Sequence, residues 1–200
     1  LPRNRRQSAE RETVMLVGIT YDLCAEYRSK GFSEEDTAEF DSEETIESIE
    51  TTLHTLGYST DRIGSIYTLV ERIADGDRWN IVFNIAEGFY GTGRESAVPA
   101  LLDAYRIPYT FSDPLTLSVT LDKETAKRIV RSHGIATPDF TVVRNESAID
   151  TVALDGDLFV KPVGEGTGKG ITANSCVRTR EQLYRACRAV LGTYHQPALV

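Results

Sequence analysis

Lys161 closes an apolar run, and glycines follow at 164, 166, 168 and 170, in the stretch LFVKPVGEGTGKGITANSCV (158–177). A lysine rarely ends a buried strand unless it has an anionic partner. Glycines let backbone N–H groups approach such a partner closely, because no Cβ stands in the way. Lys169 adds a second positive charge. These residue types at this spacing describe a site for a polyphosphate. Two phosphate loops are excluded. A Walker A loop would need glycine at Val163 and Ser or Thr at Gly170. The G-x-G-x-x-G fingerprint fails at Lys169. ITANSCV is β-branched and reads as a strand, and Phe159 and Val160 read as a buried strand before the loop. Strand, glycine loop, strand is the plan of a flap that folds over a nucleotide. The plainer reading is a glycine-rich hairpin with a surface lysine. The glycine content predicts a flap that is mobile when empty.

The elements that must position this flap follow from periodicity. MLVGI (15–19) is a short buried strand. Asp41 and Glu44 have capping-box spacing, and Ile46, Ile49, Leu53 and Leu56 follow at helical intervals to Gly57. Strands are expected at 58–63, 80–85 (NIVFNI) and 107–111 (IPYTF). Helices are expected at 66–73, stopped by Gly76, and at 96–105, with Pro99 in the first turn. Strands alternating with helices predict a parallel α/β sheet, whose ligands bind beyond the strands' C-terminal ends. The segment NIAEGFYGTGRES (84–96) lies at such an end and is a candidate substrate loop, or else an ordinary connection.

The pattern changes after Ser112. Asp122 can cap a helix ended by Gly134, a strand is expected at 140–143, and Thr179 with Gln182 opens a helix that Gly192 should end. PALV (197–200) reads as a beginning strand. The division expected is an arm at 1–13, a parallel α/β unit at 14–112 and an α+β unit at 113–200.

The chain of 200 residues carries a net charge of −8, which argues against general nucleic-acid binding. Residues 31–60 hold nine Asp or Glu and no Lys or Arg, so the remainder is near neutral. That acidic run reads as a solvated loop and helix face. Residues 1–13 contain four arginines and no apolar periodicity, and read as a disordered arm; Met15, the sole methionine, stands where a natural start would fall. Three cysteines (Cys24, Cys176, Cys187), without C-x-x-C, speak against a disulfide framework or zinc site and make the cytoplasm the expected location. No apolar run approaches membrane-helix length.

Three ordered segments resemble the D-alanine–D-alanine ligases of the ATP-grasp superfamily. VFNIAEGFYG (82–91) is similar to the family's strand and His-Gly, Tyr-Gly loop. IPYTFSDPLTLSVTLDKETAK (107–127) resembles I-P-Y-T-G-S leading to M-D-K-x-x-x-K. GIATPDF (134–140) with FVKPVGEGTGKGI (159–171) resembles G-x-x-x-P followed by V-K-P-x-x-E-G-S-S-x-G. The resemblance implies a pre-ATP-grasp, Rossmann-like N-terminal domain and a central ATP-grasp domain, with the C-terminal ATP-grasp domain absent. It implies ATP as cofactor, Lys123 and Lys161 on its phosphates, and Glu165, Gly166, Thr167, Gly168, Lys169 and Gly170 as the covering flap. Lys127 matches a further lysine. Mg²⁺ is implied too, with its ligands in the missing domain. The implied reaction is carboxylate–amine ligation through an acyl phosphate, within peptidoglycan biosynthesis, on small amino-acid-like substrates; a homodimer stays open. Glu87, Gly88 and Arg94 fall on the substrate side. Glu87 stands where the family has His and would put a full negative charge there; the family's ammonium-binding glutamate turn has no counterpart after the first strand. These departures point to a substrate pair other than two D-alanines, and the 200 residues are expected to lack ligase activity by themselves. The other readings are a non-catalytic nucleotide-binding or regulatory module, an ATP-grasp ligase for another amino acid or peptide, and a plain α/β small-molecule binder.

Overall fold

Residues 14–153 and 156–200 are described by a computed structural model of the chain; the arm expected at 1–13 lies outside the described residues. Three strands, β1 (Leu16–Thr20), β2 (Ser59–Gly64) and β3 (Ile81–Asn84), form a parallel sheet in the order β2-β1-β3. Successive residues of a strand face opposite sides, and the packing follows. Ile19 meets Ile46 of helix α2 (Glu43–Thr55) on one face. Val82 meets Leu69 and Ile73 of α3 (Ile66–Ala74), and Val98 and Leu102 of α4 (Ala97–Ala104), on the other. A short helix, α1 (Cys24–Ser29), follows β1. Helices on both faces of a parallel sheet agree with the α/β expectation. They also put the C-terminal ends of β1 and β3 at the crevice where such sheets take ligands.

Local chemistry explains the helix starts. Ser42, rather than Asp41, caps α2, accepting from Thr45 N at 3.2 Å. Asp113 caps α5 (Pro114–Leu121), with Pro114 in the position that needs no donor. Asp122 caps α6 (Lys123–Ser132). Thr179 and Gln182 form the expected capping box of α7 (Arg180–Ala189).

In the second half, β4 (Val142–Val143), β8 (Ala198–Leu199) and β6 (Lys161–Pro162) pair antiparallel in the order β4-β8-β6; β5 (Leu158–Phe159) pairs with β7 (Cys176–Val177). Val143, Val160, Val177, Leu183 and Cys187 close the core beneath them.

Four expectations are corrected. IPYTF is not a full strand. Val82 N donates to Pro108 O and Thr110 N to Val82 O, leaving one isolated bridge at Tyr109. Pro108 has no N–H to extend the ladder, and Phe111 at φ +70° turns the chain away. ITANSCV is a strand only at Cys176–Val177; a 3-10 helix, Ala173–Ser175, precedes it. The hydroxyls of Thr172 and Ser175 cap one another's backbone there and outweigh β-branching. Phe159 is exposed, and only Val160 is buried. Gly192 does not stop α7, because a π-helical turn, Val190–Tyr194, runs through it to His195 at φ +51°.

Candidate functional site

Thr20 and Asn84 end β1 and β3, and both are buried. The Thr20 hydroxyl donates to Asn84 Oδ1 at 2.8 Å, and that oxygen also accepts from Ala86 N. Just beyond, buried Asp22 accepts from the Tyr27 hydroxyl at 2.7 Å and from Gly88 N at 2.8 Å. One carboxylate thus fixes the start of the 85–96 loop. Gly88 has φ +70°, and a Cβ there would lie 2.7 Å from Arg94 O, so the loop closes on itself only with glycine. This closure places Glu87 and Arg94.

Glu87 faces Glu95. Burial, and then the Glu95 and Glu39 carboxylates, push its pKa up to about 7; burial also raises Glu95. Burial thus works against the full negative charge expected at Glu87. A cavity of about 430 Å³ opens beside it, lined by Glu39, Glu95, Phe111 and Thr167 among others.

The flap lies across from this loop. Lys123, at the start of α6, donates through its backbone N–H to Val163 O at 3.1 Å. Its Nζ donates to Val163 O at 3.4 Å and to Glu165 O. Burial, and then the charge of Lys161, lower the Lys123 pKa. A second lysine close enough to disfavour the charge on Lys123 marks a place where an anion is welcome. Both line a cavity of about 250 Å³ with Glu165, Gly166, Thr167, Gly168 and Lys169. Seven of the eight residues expected at the nucleotide thus share one cavity. Gly170 does not line it; a Cβ there would strike Pro162 Cγ at 2.5 Å, so its part is to let the flap's end pack on β6. Lys127 is turned aside, its ammonium donating to Thr137 Oγ1 at 2.6 Å and lying over the Phe140 ring. Thr167 lines both cavities, which are therefore neighbours.

Arg94 joins the two sides. Its guanidinium donates to Gly164 O at 2.8 Å, to Glu39 Oε2 at 2.8 Å and to Glu165 Oε2 at 3.4 Å, all nearly buried. Gln196 holds the flap from below, donating to Glu165 Oε1 and accepting from Gly164 N at 2.7 Å. Gly166 N donates to Glu39, and Lys169 pairs with Glu165 at 3.4 Å. The flap is thus tied at several points, against the free loop its glycines predict. Sequence reasoning missed Glu39, Asp22, Glu95 and Gln196. Glu39 is corrected outright: it belongs to the acidic run read as solvated, yet its side chain is 3% exposed. The available signal was the aromatic residues around it. Phe32 and Phe40 sit beside Tyr27 and Phe89, with centroids 4.6 Å apart for the nearest pairs, and dock this segment on the substrate-side loop.

Among the described residues no group of three His, Cys, Asp or Glu side chains is placed to hold a metal ion. Among them, too, no helix is long and apolar enough to cross a membrane.

No protein-family model matches the chain. Individual proteins do. An uncharacterized protein, y4sG, of Sinorhizobium fredii (strain NBRC 101917 / NGR234) is 37% identical over 120 residues, covering 60% of this chain and 34% of that protein. The D-alanine–D-alanine ligase of Actinobacillus pleuropneumoniae serotype 5b is 34% identical over 143 residues, covering 70% of this chain and 45% of the ligase. The chain thus spans less than half the length of these relatives. The crystal structure of D-alanine–D-alanine ligase from Bacillus anthracis superposes with a TM-score of 0.69 at 21% identity, over 93% of this chain and 56% of that one. The VanG D-Ala:D-Ser ligase of Enterococcus faecalis gives 0.65 at 15% identity, over 93% and 62%. At such identities the structures speak for the fold, and the curated relatives carry the likeness in sequence.

Proposed function

We propose that this chain, a relative of the D-alanine–D-alanine ligases, is the nucleotide-grasping part of an ATP-dependent carboxylate–amine ligase. Residues 14–112 would be its substrate-side domain and 113–200 its central ATP-grasp domain. The observation that carries this reading is the cavity shared by Lys123, Lys161 and the flap residues 165–169. Bound ATP would supply a phosphoryl group that turns a carboxylate into an acyl phosphate, which an amine then attacks. The chain's own residues would do the rest. Lys123 and Lys161 neutralise phosphate charge, and each such charge-assisted contact is worth roughly 1.5–3 kcal/mol. Closure of the flap would keep water from the activated carbonyl. Glu87 borders the adjoining cavity at the ends of β1 and β3, and Gly88 and Arg94 border a second one beside Glu39, Glu165 and Lys169; the substrates would lie on this side. Glu87 stands where the family has His, and no ammonium-binding glutamate turn follows β1; these departures favour a substrate pair other than two D-alanines.

Titration of ATP into the chain and into Lys161→Ala tests the assignment. The expected result is a loss of affinity of roughly 1.5–3 kcal/mol, about ten- to a hundredfold. Equal affinities would remove Lys161 from the nucleotide site. We further infer that these residues bind nucleotide without ligating, as a non-catalytic nucleotide module would. Amino-acid-dependent release of ADP by the isolated chain would contradict this.

A further inference from the structure

We infer that Glu39 is an internal anion that occupies the glycine flap and competes with nucleotide phosphate for it. This inference rests on the nucleotide-binding reading and names a regulation of that site. The Glu39 carboxylate makes the contacts a phosphate would make. One oxygen accepts from the flap amide Gly166 N, and the other accepts from the Arg94 guanidinium at 2.8 Å. A Cβ on Gly166 would stand 2.9 Å from Glu39 Oε1, so the approach depends on glycine. The side chain is almost wholly buried, and its charge acts on Lys123, a residue of the nucleotide cavity.

Glu39 is delivered by a strap, residues 30–42, that has its own anchors. Phe32 and Phe40 pack on Tyr27 and Phe89. Between these two rings in sequence, Glu35 accepts from the Tyr194 hydroxyl at 2.5 Å. Between strap and flap lies a cavity of about 180 Å³ bordered by Glu35, Glu39, Arg94, Glu165 and Lys169. A phosphate arriving at Gly166 must displace Glu39, because one N–H cannot serve two anions and like charges repel across so short a distance. Displacement frees the flap to follow the nucleotide and leaves Arg94 with one carboxylate fewer.

Two measurements on the purified chain test this. In amide hydrogen exchange without nucleotide, Gly166 should be protected in the native chain and lose protection in Glu39→Ala. In ATP titration, Glu39→Gln should bind about five- to tenfold more tightly, the difference between a charged and a neutral competitor for one hydrogen bond. Tyr194→Phe leaves Glu39, Arg94 and both lysines in place and loosens only the strap; it should tighten ATP about two- to threefold. It also serves if the Glu39 variants fail to fold. Unchanged or weaker ATP affinity in Glu39→Gln and Tyr194→Phe, while Lys161→Ala weakens it, would overturn the competition and leave the nucleotide reading standing. No ATP binding by native chain or Glu39 variants would remove both.

Discussion

Glu87→Gln should flatten the fall of stability with pH. The Glu87 carboxyl titrates near 7 in the folded chain and near 4.5 as an ordinary glutamate. A group whose folded pKa is raised binds more protons folded than unfolded between those values. Stability contributed by its proton is therefore full below about pH 4.5 and is lost as pH rises through about 7. At 1.36 kcal/mol per pH unit the upper bound is about 3 kcal/mol. The carboxyl is partly open to the neighbouring cavity, and solvent screening reduces the figure to roughly 1–2 kcal/mol. The same proton lets Glu87 donate to Glu95, which the amide of glutamine can do at any pH. Urea unfolding at pH 5, 6, 7 and 8 should give a native stability that declines by about that amount. Glu87→Gln should match the native chain at pH 5 and exceed it at pH 8 by roughly 1–2 kcal/mol. Part of the decline belongs to Glu95, whose burial raises it too, so some slope should remain. A variant with the full native slope, or one less stable than native at pH 8, would refute the assignment of the buried proton to Glu87.

Gly88→Ala should cost roughly 1–3 kcal/mol, because φ +70° is strained for alanine and its Cβ would press on Arg94 O; thermal unfolding measures this, and a neutral result would mean the 85–96 loop re-forms elsewhere. Thr179→Ala removes the capping box of α7 and should cost about 1 kcal/mol, read as a lower urea midpoint with an unchanged m-value.

The sequence showed most clearly what depends on neighbouring residues. Caps at Asp122 and at Thr179 with Gln182, the apolar strands β1 and β3, and the lysine-glycine flap all follow from spacings of a few residues. Helix α5 was hidden because Thr116, Val119 and Thr120 are β-branched; only Asp113-Pro114, a cap followed by an N1 proline, marked its start. IPYTF has strand composition, yet Pro108 and the positive φ of Phe111 limit it to a bridge. The lysines of the site were legible as chemistry. Glu39 was not: Phe32 and Phe40 hint that its segment docks, but nothing nearby shows that a guanidinium 55 residues further on will pair with it.

Such distances have a consequence for the order in which the chain assembles. Gly166 meets Glu39 across 127 positions, and Tyr194 meets Glu35 across 159. Closing such loops costs entropy that only contacts already made at both ends can offset. The parallel sheet and the cap-driven helices are local by comparison and can form early. During synthesis the residues around Glu39 must wait until Tyr194 has left the ribosome before both ends of their tether exist. We predict that the contacts of residues 30–42 with the flap and with Tyr194 form late in folding and are among the first undone in slow opening.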